Sequence, residues 1–418
     1  MLEHHLNLND ANLIRDPYPT LENLREKTGV YFDPVWQKVF FTRYEDIAAL
    51  LKDRRLGRSM THVLSRDELG WPPANPRQKP FDDFQALHML DREPPDHTRL
   101  RSLVQKAFTQ SRVESLRQKI EGIVNGMLDQ IAGQIGGAAS FDVHADLAEP
   151  LPVLVIAELL GVPEIHRAKL RPWSAAIVKL YELGYSETEM DAASKAVLEF
   201  SQMLRELVEA RRLEPQDDLI SALVAVEERG EKLTEDELIA NCILFLNAGH
   251  EATVNGTTSA VLALCRNPPS LERLALEAQT QPNTSPLFKS AIEEFLRYDT
   301  PLPMFERWVL EEIEFQSSIG PVKLERGQEV ALLYASGNRD PRKFSRADEL
   351  VLDRTENAHL TFGLGTHYCI GAPLARLEMQ VALHTLLKRF SKLSLGQEPE
   401  YATGFVIRGL KSLVVNLG

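Results

Sequence analysis

The stretch LTFGLGTHYCIGAPLARLEM, from Leu360 to Met379, sets a single cysteine among three glycines and a histidine just before an amphipathic helical run. A thiolate becomes a good metal ligand when its pKa is lowered, and the start of a helix, with its unpaired N–H groups, has that effect. Cys369 sits at such a junction. Gly363, Gly365 and Gly371 would let the backbone approach a flat cofactor closely and take turns barred to other residues. His367 could donate a hydrogen bond to an anionic group. A buried structural cysteine in a glycine-containing loop is the other reading of the same residues.

Two further groupings could do chemistry. In EEFLRYDTP, Glu294 and Arg297 are three apart, on one helical face and close enough to pair. In REPPDHTRLRSLV, His97 and Arg101 share a helical face while Arg99 lies roughly opposite. Each could equally be a solvated helix face.

The elements that must position these residues are mostly helices, with apolar positions three and four apart and clear stops. In LPVLVIAELLGVPE, Gly161 follows the last periodic residue and Pro163 prevents continuation. GVYFDPVWQKVFFTRYEDIAALL reads as a hairpin followed by a helix, with Thr42 and Glu45 spaced as a capping box. A second strand-rich zone is RWVLEEIEFQSSIGPVKLERGQEVALLYAS, and a third is GFVIRGLKSLVVNL. Strands from opposite ends of the chain are expected to meet in a minor sheet. Two stretches read as long loops, one after Ser59 that contains Trp71 and Phe81, the other LYELGYSETEMD from Leu180.

The 418 residues allow a large core, and 44% hydrophobic with 26% charged residues is ordinary for a soluble globular protein. A net charge of −13 argues against a nucleic-acid partner, which needs a basic face to neutralise phosphates. Three cysteines, Cys242, Cys265 and Cys369, are too few for a disulfide framework and none are at metal-pair spacing. They suit a reducing cytoplasm. The N-terminal segment has no apolar run of signal or membrane length.

The pattern F-x-x-G-x-H-x-C-x-G, filled by Phe362, Gly365, His367, Cys369 and Gly371, resembles the haem-ligand loop of the cytochrome P450 family. The resemblance runs through nearly the whole chain, from DPYPTLENLRE through PQDDLISAL, AGHEAT, EEFLRY and GNRDPRKF. It implies a single domain over residues 1–418, mainly α, a helical prism with a minor β-sheet region, holding haem b between a long distal helix and the cysteine loop. It implies Cys369 as the axial ligand to iron, with Phe362 packed beside the sulfur and Gly363 and Gly371 shaping the loop. Glu294 and Arg297 resemble the family's structural ion pair. The third member is often an arginine where this chain has Glu349, and Arg354 is the available substitute. His97, Arg101, Arg307 and His367 resemble the family's propionate binders.

LIANCILFLNAGHEATVNGTTSAVLALC resembles the oxygen-binding helix, in which Ala248 and Gly249 leave room for dioxygen and permit a local widening. The acidic residue, here Glu251, is usually followed directly by a threonine whose hydroxyl orders a proton-delivering water. This chain has Ala252 there and Thr253 one residue later, rotated by about 100° on a regular helix. A substrate hydroxyl or ordered water, a distorted helix that brings Thr253 in, or poorly coupled turnover would follow.

The implied activity is monooxygenation: one atom of O2 enters a small hydrophobic or amphipathic substrate by hydroxylation or epoxidation, in natural-product or xenobiotic metabolism, and the other leaves as water. Leu244, Asn247, Ala248, Leu302, Met304, Phe405 and Val406 would line the pocket, with the Trp71 and Phe81 loop as its roof. Electrons would come from NAD(P)H through a reductase and a ferredoxin or flavodoxin. Arg99, Lys106 and Arg112 could form a docking face for such an acidic partner. The expected protein is monomeric, cytoplasmic and not bound to membranes. A peroxygenase, a desaturase or a non-catalytic haem-thiolate sensor is the alternative.

Overall fold

The computed structural model describes residues 2–134, 140–181, 185–226 and 230–418. The chain divides into two compact units, each built from separated stretches. The first comprises Met1–Val63, Ile120–Pro150 and Ala252–Gly418; the second comprises Leu64–Lys119 and Leu151–Glu251.

In the first unit the aromatic and β-branched runs form a hairpin of Val30–Asp33 with Lys38–Phe41. Lys38–Phe41 then pairs in parallel with Glu329–Leu332, which pairs antiparallel with Phe305–Val309. The two-residue period of a strand divides the side chains between two cores. Val39, Phe41, Val330 and Leu332 pack with Ile47, Phe344 and Leu360, while Tyr31, Phe40 and Ala331 pack with Leu21, Met304 and Phe405. The N-terminal hairpin therefore does meet the second strand zone. The C-terminal strands do not join this sheet: Val414–Leu417 lies between Leu393–Leu395 and Ser140–Asp142 in a separate one.

The helix after the hairpin, Tyr44–Leu50, is not capped by Thr42 and Glu45. Thr42 instead donates its hydroxyl to Gly29 O at 2.9 Å. The helix start is served from far along the chain, Tyr44 N donating to Asp340 Oδ2 at 3.0 Å. A tertiary carboxylate has replaced the local capping pattern.

In the second unit, Gly161 ends Pro150–Leu160 at φ +73°, and a Cβ there would lie 2.2 Å from Asp218 Oδ2, so only glycine fits. The segment after Ser59 is less irregular than its sequence suggests, containing a helix at Lys79–Gln85. Phe81 is buried there against Phe84 and Tyr181, with ring centroids 6.1 and 5.7 Å away. Trp71 is half-buried, with the Arg66 guanidinium 5.5 Å from its ring. The stretch from Leu180 includes residues 182–184, which lie outside the described residues. Its continuation, Glu187–Leu213, is helical from a capping box of Ser186 and Glu189.

Four helices position the candidate residues: α1 (Asp96–Ala107), α2 (Glu235–Cys265), α3 (Pro286–Tyr298) and α4 (Ala372–Arg389). Helix α1 belongs to the second unit, α3 and α4 to the first, and α2 passes from the second into the first. Among the described residues no helix is long and apolar enough to cross a membrane.

Candidate active site

The cysteine loop starts from the sheet core. Leu360 is fully buried, and its N–H is held by Asn338 Oδ1 at 2.7 Å. Asn338 Nδ2 also donates to Thr361 Oγ1 at 3.0 Å, and Thr361 Oγ1 donates to Leu296 O on α3 at 2.7 Å. Gly363 and Gly365 take φ +66° and +72°, and a Cβ on Gly365 would come within 2.5 Å of Leu51 O. Gly371 has no such requirement. Its φ is −79°, and a Cβ there would meet Cys369 Sγ at an ordinary 3.8 Å.

Cys369 N donates to Phe362 O at 2.9 Å, which closes the loop just before α4. Gly371 is the N-cap of α4 and provides no side-chain hydrogen bond. Cys369 is exposed, unlike the other cysteines. Burial raises the Cys242 thiol far above its usual range and pushes Cys265 up to about 11, so neither suits ligation as a thiolate.

Glu294 and Arg297 are fully buried and paired through two hydrogen bonds of 2.8 and 2.9 Å. Arg354 supplies the third member, its Nε donating to Glu294 Oε2 at 2.9 Å. Val351 N adds a bond of 2.7 Å and Asn357 Nδ2 one of 3.2 Å. Burial alone would raise the Glu294 carboxyl; the hydrogen bonds and charges of Arg297 and Arg354 outweigh it and hold the group below its ordinary value. Glu349 contributes only its carbonyl, which accepts from Arg297 Nη2 at 3.0 Å. Arg297 Nη1 also donates to Asn338 O at 2.8 Å, tying this network to the residue that holds the cysteine loop.

The first unit also carries Arg307, buried, its guanidinium 5.0 Å from the Phe305 ring, and His367 in the short 3-10 turn Gly365–His367. Of the pocket candidates in this unit, Met304 and Phe405 belong to the core behind the sheet, Leu302 is half-buried and Val406 is exposed.

The second unit holds His97, which is buried, and Arg101, which is half-buried, one turn apart on α1. Arg99 points elsewhere and pairs with Glu237, whose carboxylate also accepts from Thr234 N at 2.9 Å at the start of α2. Arg99 is thus committed to an internal ion pair and is not a spare docking cation. Arg112 Nη1 donates to Asp217 at 3.3 Å, and Lys106 lies in the last turn of α1.

Helix α2 is buried from 237 to 247 and from 253 to 264 but open at Ala248, Gly249, Glu251 and Ala252. The local widening expected there is not present: α2 is α-helical throughout. Thr253 is buried, and regular geometry turns it away from the face that Ala252 presents. His250 is buried, with Nδ1 3.7 Å from Glu251 Oε1. Leu244 and Asn247 are buried, and neither polar atom of the Asn247 amide has a hydrogen-bond partner among the described residues. A buried amide left in that condition costs about 1–3 kcal/mol unless something else satisfies it.

Sequence reasoning passed over Asn338, Glu293, His359 and Arg376, which brace the cysteine loop. Glu293 accepts from Arg376 at 2.6 and 2.8 Å and lies 3.1 Å from His359 Nε2. Glu293 is adjacent to Glu294 and Arg376 is on α4, but no spacing rule links them. Only the fold does.

The cytochrome P450 family model matches residues 171–409. The chain is 36% identical over 412 residues to the polyketide biosynthesis cytochrome P450 PksS of Bacillus subtilis, with 96% of each chain covered. It is 37% identical to the mycinamicin IV hydroxylase/epoxidase of Micromonospora griseorubida, covering 92% of this chain and 90% of that one. Among solved structures it is similar to P450BioI in complex with an acyl carrier protein bearing hexadec-9Z-enoic acid, at 33% identity and TM-score 0.86, covering 98% of this chain and 99% of that one. The chain belongs to the cytochrome P450 family: it is a bacterial-type monooxygenase that uses haem b and dioxygen, with electrons from NAD(P)H through redox partners.

Proposed function

We propose that the Cys369 thiolate would hold the iron of haem b and that the enzyme hydroxylates or epoxidises a small amphipathic natural product. One observation carries the reading: Cys369 alone of the three cysteines is exposed, in a loop closed by its own amide at the start of α4. When bound, thiolate-ligated haem supplies the chemistry that favours O–O cleavage.

The chain's own residues bind and orient. Buried Arg307 and His97, with Arg101 and His367, suit the two propionates, since buried carboxylates require charged donors. Phe362 shields the sulfur, Gly363 shapes the loop, and Gly371 leaves the approach to Cys369 clear. The opening of α2 at Ala248 and Gly249 makes room for dioxygen.

Glu251, partly exposed beside buried His250, is suited to exchange protons with solvent. Ala252 offers no hydroxyl, and the regular α2 argues against recruitment of Thr253. A hydroxyl on the substrate, or a water it orders, then completes the relay. The unpaired Asn247 amide favours a substrate with a polar group to place against it. Leu244, Leu302 and Val406 offer apolar contact; Met304 and Phe405, already in the core, would support the pocket from behind.

The relatives named for polyketide biosynthesis and for mycinamicin oxidation support a natural-product substrate. A ferredoxin or flavodoxin would deliver the electrons. We read the chain as one P450 domain, because relatives of that family match nearly its whole length, and by resemblance to that family as a monomer of the cytoplasm.

The test is turnover with a surrogate ferredoxin and reductase under isotopically labelled dioxygen, using compounds that perturb the ferric spectrum. One labelled oxygen atom in the product supports the reading. Turnover sustained by hydrogen peroxide alone would favour a peroxygenase, and an unsaturated product without label a desaturase.

A further inference from the structure

We infer that Arg376 is a positioning residue that holds the Cys369 loop and sets the electrostatic environment of its sulfur. The inference rests on the proposed ligand role of Cys369. The Arg376 guanidinium lies 4.4 Å from the centroid of the Phe362 ring, and Phe362 O is the acceptor for Cys369 N at 2.9 Å. The same guanidinium donates from Nη1 to the hydroxyl of Tyr368, the residue just before the cysteine, at 3.4 Å. One side chain therefore touches the loop at two residues ahead of the cysteine, one of them its immediate neighbour.

Its remaining nitrogens are fixed by Glu293 in a fork of two hydrogen bonds, Nε to Oε1 at 2.6 Å and Nη2 to Oε2 at 2.8 Å. His359 braces the far carboxylate oxygen at 3.1 Å, and its ring lies 5.7 Å from that of Phe362. A planar guanidinium can make a bidentate pair and stack on an aromatic ring at the same time; a lysine ammonium cannot. The side chains of Arg376 and Glu293 are 28% and 26% exposed, so their charges are only partly screened.

This arrangement makes two separable contributions. The stacking and the Tyr368 bond fix the loop's shape. The positive charge against Phe362 and Tyr368, the latter next to the cysteine, would stabilise the more negatively charged reduced state, and Glu293 would offset part of that charge. Both residues line an open cleft of about 420 Å³, so a smaller side chain at either position faces solvent and leaves no sealed void.

The test is the ferric/ferrous midpoint potential of the haem-loaded full chain, read by spectroelectrochemistry beside its thermal unfolding midpoint. Arg376→Leu removes the cation and is expected to shift the potential downward; Glu293→Gln removes the offsetting charge and is expected to shift it upward. Arg376→Lys restores the charge without the fork and is expected to recover part of the downward shift. Potentials unchanged in both variants, or moved in the same direction, would reduce Arg376 to a structural brace and overturn the proposal. Should Arg376→Leu fail to retain haem, the direction found for Glu293→Gln decides. A wild-type protein without a thiolate-type carbon monoxide spectrum would instead overturn the ligand assignment beneath it.

Discussion

Arg354 donates its Nε to Glu294 Oε2 at 2.9 Å across a sequence separation of 60, completing a buried triad with Arg297. The carboxylate between the two arginines is fully buried; Arg297 alone would still neutralise it, but removing Arg354 takes away a charge-assisted hydrogen bond and the donor to the Ser345 and Arg346 carbonyls. Arg354→Ala is expected to lower stability by about 1.5–3 kcal/mol in denaturant unfolding. Arg346→Ala, which breaks an exposed 3.5 Å contact with Glu349, should cost less than about 1 kcal/mol. Equal effects from the two variants would contradict the triad's role.

Two carboxyls give opposite pH dependences. Burial would raise Glu293, but His359 and Arg376 outweigh it and bring it down to about 2 from 4.5. Its folded pKa is depressed, so its contribution to stability is present above pH 4.5 and lost as pH falls toward 2. Glu378 is raised well above 4.5 by burial, and its Oε2 has no hydrogen-bond partner among the described residues. Its folded pKa is raised, so stability declines as pH rises from 4.5 through the folded value. In thermal melts across a pH series, Glu293→Gln should flatten the acid limb, and Glu378→Met should raise the melting temperature at neutral pH.

How far these features could be read from sequence depended on whether their cause was local. The Phe362 to Gly371 pattern was legible because each member has a fixed offset in one loop. Glu294 and Arg297 were legible because helical spacing brings them together, and Arg354 was identifiable as the available third cation. The hairpin at Val30–Phe41 was evident from its composition and its turn. The failures have distant causes. Asp340 caps Tyr44–Leu50 from across the fold, so the local capping pattern misled. The last strand, Val414–Leu417, pairs with Ser140–Asp142, a segment with no distinctive strand signal. Arg376 acts by stacking on a ring that only the folded loop brings near.

Asn247 is the most direct probe of the substrate's polarity. Asn247→Leu removes an unsatisfied buried amide, so the free protein should gain stability by about 1–3 kcal/mol. If the amide binds a polar group of the substrate, affinity for that substrate should fall about tenfold for each 1.4 kcal/mol lost. Spin-state titrations of both proteins would read this; unchanged affinity across polar ligands would remove Asn247 from the pocket.

Ala252 marks where a relay hydroxyl is missing. With a substrate analogue lacking its own hydroxyl, the wild-type protein should leak peroxide and couple poorly, and Ala252→Thr should reduce the leak. Electron consumption, peroxide and product measured together check this. If Ala252→Thr left coupling and leakage unchanged with every substrate, the missing relay group would be ruled out.

The measurement that bears most directly on the account is the absorption spectrum of the dithionite-reduced protein under carbon monoxide, recorded for wild type, Cys369→Ser and Cys242→Ser. Thiolate ligation by Cys369 predicts a strongly red-shifted Soret band in the wild type and in Cys242→Ser, lost in Cys369→Ser. A red-shifted band that survives in Cys369→Ser, or a wild-type band typical of histidine- or thiol-ligated haem, would contradict it.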